Sequence, residues 1–541
     1  KLKKDAEEMK RKVWKKLKAV KKKIQTEGKS EESSLELQKG SKERKELRKV
    51  VATLKDINQR EVLSKKQAKA DTDFYNNPWR VGGDVLRGAS AEAPGIKFTM
   101  EGGREFFKKT YAEEENPEQP LEEPEWNFAG PNPKWDEAKQ TIEFDEESVG
   151  NMLKRKKSDS TPGIDAIPYR VWKNFTFLHK KIAVLFAGIV TEGVYPDGWR
   201  TANIKLLNKF DEEGVVKDVL TPAKYRPIGL TASLSKVFTG MVADFIMNNL
   251  IATETLAPGQ KAFLKKTSGC VEHSTLLEHL FEIAERSGLP LAFIQTDLAN
   301  AYGSLNHKMI MLVLKMYRIP TEIADLIANM YSDLHMWVPH PDGIIKTPFK
   351  RGVFQGDPLS VILFLLAINP VLWRLEEEDA KACGFKIAHP TTGVTSVTNL
   401  GFCDDINLVA NDDAKATELC KILDEAMDWT KCLKLEPAKC KGMLVERSCT
   451  PREISEGPLT IKRPNATFKG IQVGQLQGVS FRMLGQRFKI NLSLAGSTSE
   501  AKDVEVERAI EYIERIDRSV HSDEVKLKIA ALALRSFLSW T

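Results

Sequence analysis

The sequence predicts an α/β (α+β) protein built from several subdomains. Three observations carry that expectation. The chain has 541 residues, more than one hydrophobic core accommodates. Short apolar runs of strand length, such as Ala292-Phe293-Ile294-Gln295-Thr296 and Leu400 to Ala410, are interspersed with amphipathic runs at helical spacing. Acidic residues stand at strand ends: Asp297 closes the first run, and Asp404-Asp405 interrupt the second at a tight hairpin tip.

Net charge is only +6, but its sign is unevenly spread. The first thirty residues are heavily basic, and Ala112 to Glu125 is acidic. A basic arm fits either a polyanion partner or a solvated helix face. The seven cysteines form no C-x-x-C, and no His pair lies nearby at ligand spacing. That argues against a zinc site or a disulfide framework and fits a reducing compartment. No signal peptide opens the chain, and the apolar run from Val361 to Trp373 is too short for a bilayer and contains Pro370. The expectation is a soluble protein with no membrane partner, placed in nucleus and cytoplasm.

In chain order, Leu2, Ala6, Met9, Val13, Leu17, Val20 and Ile24 form one apolar helical stripe, which Gly28 to Ser34 breaks. Leu47, Val50, Leu54 and Ile57 predict a second helix. From Phe74 to Trp79 the pattern loses regularity, and Pro117, Pro120, Pro124, Pro131 and Pro133 mark an extended linker. Glu146 to Lys157 reads as a helix, followed by a turn over Ser160 to Pro168 and a proline-initiated helix through Trp172. Strands are expected at Ala202–Lys209 and Lys224–Leu230, then a helix from Ser233. After the strand ending at Asp297 comes an amphipathic helix from His307. Asp342-Gly343, between two apolar runs, signals a hairpin. Arg351 to Ser360 leads into a long apolar helix. Asp412-Asp413 read as the cap of the helix that includes Thr417 to Trp429. Leu433 to Glu446 is a loop and then a strand, Phe481 to Ile490 is more strand, and the chain is largely helical from Ala501. The last helix reads as running on past Thr541, since no Gly or Pro stops it.

Burying Asp404 beside Asp405 is costly unless cations neutralise them. If the strand before Asp297 neighbours their hairpin, three carboxylates converge. Hard oxygen donors without His or Cys favour Mg²⁺. Two such ions about 4 Å apart activate an attacking hydroxyl and stabilise a leaving oxygen in phosphoryl transfer. A nucleotide polymerase needs that arrangement.

The order of motifs resembles that of reverse transcriptases of non-LTR (LINE-type) retrotransposons. Asp297 to His307, Gln355-Gly356-Asp357-Pro358-Leu359-Ser360 and Phe402-Cys403-Asp404-Asp405 look like the family's first three palm motifs. Leu435 to Cys440 resembles the fourth, and Arg482-Met483-Leu484-Gly485 the primer-grip turn. Thr161 to Asp165 and Tyr225-Arg226-Pro227-Ile228 match finger motifs. Gly259 to Phe263 with Ser268-Gly269-Cys270 resembles a finger insertion of lineages that carry a restriction-like endonuclease. Cys403 replaces the commoner Ala, Asp357 stands where some lineages have Cys, and Glu436 lies near the usual Asn.

The resemblance implies a right-hand polymerase. Its expected parts are a basic helical arm (1–70), an N-terminal extension (71–150), fingers (151–290), a palm (291–465) and a primer grip with a truncated helical thumb (466–541). It implies RNA-directed DNA synthesis on a DNA primer or target DNA from dNTPs, copying an RNA template, with two Mg²⁺ ions held by Asp297 and Asp404 and, more weakly, Asp405. Tyr302 takes the place of the aromatic gate against a ribose 2′-hydroxyl. Gln355 and Gly356 lie where the incoming base pair approaches. Lys205, Lys209 and Arg226 would neutralise the triphosphate, and Lys439 would protonate departing pyrophosphate. Seen alone, Tyr302 is more often a core aromatic than a gate, Gly356 also suits a turn cap and Lys439 surface charge. A catalytically inactive RNA-binding relative and a group II intron type enzyme are the alternatives.

Overall fold

The computed structural model describes residues 12, 15, 64–75, 96–112, 121–128, 142–209, 220–264, 267–389, 393–447, 459–476, 480–484, 486–489, 514, 516–519 and 521–538. The chain divides into two compact units, one of residues 93–497 and one of 1–92 with 498–541. Apart from Lys12 and Lys15, which are helical, the two predicted helices of the basic arm lie outside the described residues, as do four of the five linker prolines, Gly485 and Ile490.

Two sheets organise the larger unit. The first has the order β2-β1-β4-β5, from β1 (Thr201–Asn208), β2 (Tyr225–Leu230), β4 (His335–His340) and β5 (Gly343–Pro348). β1 and β2 are antiparallel, and β1 runs parallel to β4. The hairpin 335–348, which the expected boundaries put in the palm, therefore extends the β1–β2 pair, which they put in the fingers. Its loop residues are Pro341 and Asp342, because His340 pairs with Gly343. The predicted Asp342-Gly343 turn is thus shifted by one residue, with Gly343 opening the second strand.

The second sheet has the order β11-β10-β3-β9-β8. Its strands are β3 (Leu291–Gln295), β8 (Asn399–Phe402), β9 (Asp405–Ala410), β10 (Lys441–Arg447) and β11 (Leu459–Lys462), with the short strand Gly474–Gln475 pairing parallel to β10 off this path. β3 lies between two antiparallel neighbours. That explains its unbroken apolar run: Leu291 to Ile294 are all buried, as a central strand covered on both faces must be. The run from Phe481 is a hairpin rather than one strand. Ser480–Met483 pairs with Gln486–Lys489, and Leu484 takes φ 49° between them.

Helices cover these sheets. The long apolar helix is Pro358–Arg374, with Asp357 as its N-cap accepting from Leu359 N at 3.0 Å. Asp357 is buried; Thr239 Oγ1 donates to it at 3.0 Å. Burial pushes its carboxyl up, opposed by Lys236 and Lys156. Buried Asn369 in this helix is fully used: it accepts from Ala257 N and donates to Thr255 O and Tyr317 Oη, as buried amides require. Ser233–Ala252 packs against this helix. Asp165 caps its start, accepting from Ser233 N and Oγ, each at 2.9 Å. Asp412 caps Asp413–Trp429 through Lys415 N, as its position predicts.

In the smaller unit, residues 64–75 are helical, so the helix runs through Phe74 and Tyr75, where the sequence suggested loss of regularity. Phe74, Ile516, Val525 and Ile529 form its apolar cluster. Tyr75 Oη donates to Glu524 Oε1 at 2.8 Å. No helix among the described residues is long and apolar enough to cross a membrane.

Candidate active site

The centre of the larger sheet fixes where the acidic residues meet. β3 pairs with β9 so that Gln295 faces Asn407. Thr296 continues the ladder: its N and Oγ1 both donate to Ile406 O, at 3.2 and 2.6 Å. Carried on by one step, that register sets Asp297 opposite Asp405. On the other side, Leu298 bridges Leu435, and Glu436 N donates to Asp297 O at 2.8 Å. The segment matching the fourth motif is thereby held against the first.

Asp404 and Asp405 are not equivalent. Phe402 pairs with Asp405, so the turn consists of Cys403 and Asp404, and Asp405 opens β9. The expectation of both acids at the tip is corrected by this register. Cys403 takes φ 59°, the left-handed region that a non-glycine residue adopts only when surroundings hold it there.

The electrostatics record the crowding. Burial, then the Asp404 and Asp297 carboxylates, push Asp405 up to about 6, while Arg226 opposes the shift. The Asp405 side chain still reaches solvent. Burial raises Asp404 as well, with Asp297 adding to it and Arg226 again opposing. Lys439 Nζ lies 2.9 Å from Asp297 Oδ2 and 4.0 Å from Glu436 Oε2. As they stand, no three His, Cys, Asp or Glu side chains among the described residues are arranged to hold a metal ion. The donor chemistry nonetheless suits hard divalent cations: three carboxylates share one end of the sheet, and burial with neighbouring negative charge raises two of them above the usual carboxylate range.

Tyr302 lies behind the turn. Its ring stacks on Phe364, with centroids 5.0 Å apart at 7°, and its hydroxyl lies 3.4 Å from Cys403 Sγ. It is part-buried, and burial raises its phenol well above the usual range. Gln355 O accepts from Gly229 N at 2.7 Å, which ties the second motif to β2. Gly356 has φ 98°, and a Cβ there would meet Ile228 Cγ2 at 3.1 Å, so the backbone lies close against β2 where only glycine fits easily. Tyr302 and Gln355 share the wall of a small crevice with Pro227 and Phe354.

Beside these residues opens a cleft of about 900 Å³. Lys209, Arg226, Gln355 and Lys439 line it, joined by Lys109, Lys224, Arg351 and Lys434. Glu436 is the one carboxylate in that lining. Lys209 Nζ donates to Ala223 O at 2.9 Å. Lys205 stands exposed on β1, outside the lining. The sequence reading did not single out Lys109, Lys224, Arg351 or Lys434 as site residues. Lys224 and Lys434 directly precede motif residues and were within reach; Lys109 and Arg351 stand apart from the motifs.

The family model for reverse transcriptase (RNA-dependent DNA polymerase) matches residues 211–488, a stretch that contains β3, the Asp404 turn and both neighbouring motifs. The chain belongs to the reverse transcriptase family. This family generally uses divalent metal ions. Among similar proteins is the Pol polyprotein from type-2 retrotransposable element R2DM of Drosophila melanogaster, 28% identical over 223 residues, which are 40% of this chain and 19% of that protein. The Pol polyprotein from type-1 retrotransposable element R2 of Nasonia vitripennis is 26% identical over 344 residues, 62% of this chain and 31% of that protein. The corresponding R2 protein of Popillia japonica is 23% identical over 222 residues, covering 41% of this chain and 34% of that one. The reverse transcriptase chain thus spans well under half the length of these relatives. Their descriptions agree with the non-LTR resemblance of its motifs.

Proposed function

We propose that this chain is the RNA-directed DNA polymerase portion of a non-LTR retrotransposon protein, and that it extends a DNA 3′ end by copying element RNA. The observation that carries this is the register of β3, β8 and β9, which brings Asp297, Asp404 and Asp405 to one sheet end beside a cleft whose charged lining residues are seven Lys or Arg and one Glu. An RNA template with its DNA primer and a dNTP are polyanions, and that lining suits phosphate contacts more than base readout.

Asp297 and Asp404 would hold two Mg²⁺ ions, with Asp405 as a weaker third ligand. Such ions, when bound, supply Lewis-acid stabilisation of the attacking and leaving oxygens. The chain's own residues do the rest. Arg226 and Lys209 neutralise triphosphate charge from β2 and the end of β1, and Lys205 takes the outermost position. Gln355 and Gly356 present backbone to the nascent base pair. Tyr302, fixed by its stack on Phe364, crowds the sugar 2′ position. Lys439 leaves Asp297 and gives a proton to pyrophosphate.

Residues 151–290 act as fingers, 291–465 as palm and 466–541 as primer grip and partial thumb, with 71–150 as the N-terminal extension and 1–70 as a basic arm. Priming at a nicked target site, descent from an endonuclease-bearing lineage and action in the nucleus after synthesis in the cytoplasm belong to the same proposal; the relatives' naming as retrotransposable-element Pol polyproteins supports only the retrotransposon setting. The test is primer extension on an RNA template with dNTPs and Mg²⁺. Template-dependent DNA product is expected, and folded protein that binds the hybrid without extending it would overturn the proposal.

A further inference from the structure

Three residues remote from the acidic motifs grip the hairpin that carries Asp404. Gly259, Gln260 and Lys261 run alongside β8: Gln260 bridges Gly401 in parallel, Gly401 N donates to Gly259 O, and Lys261 N donates to Gly401 O. Gly259 permits this approach, since a Cβ there would fall 2.1 Å from Asn399 Oδ1. From this strap Gln260 Oε1 accepts two backbone donors, Cys403 N at 2.9 Å and Ala262 N at 3.0 Å. His273 Nε2 donates to Gly401 O at 2.9 Å from the opposite helix. Gln260, Cys403 and His273 are all buried.

We infer that Gln260 is a positioning residue for the polymerase reaction: its amide oxygen holds the Cys403 N–H, locks the left-handed turn and so aims the Asp404 carboxylate. Two features support this. Cys403 takes a conformation that other residue types rarely adopt unaided, and this side-chain bond reaches the turn across 143 residues. In addition, Gln260 Nε2 is buried without a hydrogen-bond partner. Among the described residues, then, its acceptor is the half of the amide in use, which is unusual for a buried glutamine kept only for packing. A reaction centre displaced by about 1 Å loses rate while substrate affinity survives.

The inference rests on the proposed function, and the experiment separates the two. Primer extension by the full chain is compared for wild type, Gln260→Met, Gln260→Glu and Asp404→Asn. Gln260→Met keeps length without an acceptor; Gln260→Glu keeps an oxygen in place. Gln260→Met should lower kcat about 100-fold, with dNTP KM and RNA–DNA hybrid affinity unchanged, and Gln260→Glu should recover most of that rate. Wild-type kcat in Gln260→Met, or equal losses in both variants accompanied by weaker hybrid binding, overturns the inference. Wild-type protein that binds the hybrid without extending it would instead remove the function beneath it, and full activity in Asp404→Asn would remove the role of the carboxylate that Gln260 is inferred to aim. Hydrogen exchange on wild-type protein gives an answer that does not depend on variant folding. The Cys403 amide should exchange as slowly as those of β9, and rapid exchange there contradicts the lock.

Discussion

Replacing Lys439 with methionine separates a structural role from a chemical one, because the two predict effects of different size. Lys439 Nζ pairs with Asp297 Oδ2 at 2.9 Å, but the two side chains are 62% and 45% exposed. An ion pair that open to water stabilises a fold by about 0–1 kcal/mol. The second contact, to Glu436 at 4.0 Å, adds little. Lys439→Met should therefore leave the melting temperature nearly where it was. Proton transfer to a leaving group contributes about 10²–10⁴ in rate, roughly 2.7–5.5 kcal/mol in the barrier. The two ranges do not overlap. Single-nucleotide addition under pre-steady-state conditions should fall at least about 100-fold, with hybrid affinity intact. A wild-type rate would leave Lys439 as a surface salt bridge and refute the proton-donor role. A loss of rate matched by an equal loss of stability would refute the reasoning from exposure.

Other expectations follow from the same geometry. Asp165→Ala removes the carboxylate oxygen that accepts from both Ser233 N and Ser233 Oγ and should cost about 1–2 kcal/mol of stability, as loss of a helix cap does; an unchanged urea midpoint contradicts that. Tyr302→Ala should lower the dNTP-to-rNTP incorporation ratio at least about tenfold, while also destabilising by about 3 kcal/mol through lost packing. The ratio is the deciding quantity because it does not depend on the folded fraction, and an unchanged ratio removes the gate. Asp405 has its folded pKa raised to about 6. Charging it therefore costs stability as pH climbs through that range, and the cost is absent below the unfolded pKa. Asp405→Asn should raise the melting temperature in EDTA at pH 7.5 but not at pH 3.5. With solvent screening of an exposed side chain, the gain is about 1 kcal/mol. Equal shifts at both pH values would show that the carboxylate repulsion is not its source.

Much of the centre of this fold is legible in the sequence because local rules and tertiary packing agree there. β3 reads as a buried strand since Leu291 to Ile294 are apolar and buried on both faces, and Asp412 reads as a cap since its side chain serves its own helix. The convergence of Asp297 with the Asp404 hairpin was stated as a condition, and the β3–β9 ladder meets it. What stayed hidden depends on non-local or left-handed backbone. Nothing about Cys403 announces a positive φ, so the division of Asp404 and Asp405 between turn and strand was not visible. The parallel pairing of β1 with β4 joins segments more than a hundred residues apart, and no local pattern encodes it. The hairpin at Leu484 was legible only through the resemblance of Arg482 to Gly485 to a primer-grip turn, since the apolar pattern from Phe481 reads as one strand. Gln260 stands in a recognisable motif, yet its hydrogen bond to Cys403 follows only from the packed strap.

Counting bound ions tests the central claim most directly. A complex of the chain with RNA template, chain-terminated DNA primer and matching dNTP is titrated with Mn²⁺, and bound metal is read by electron paramagnetic resonance. Two ions per wild-type complex are expected, with at least one lost or greatly weakened in Asp297→Asn and in Asp404→Asn while the nucleic acid stays bound. Two ions of undiminished affinity in both variants would contradict the assignment of these carboxylates and the account built on them.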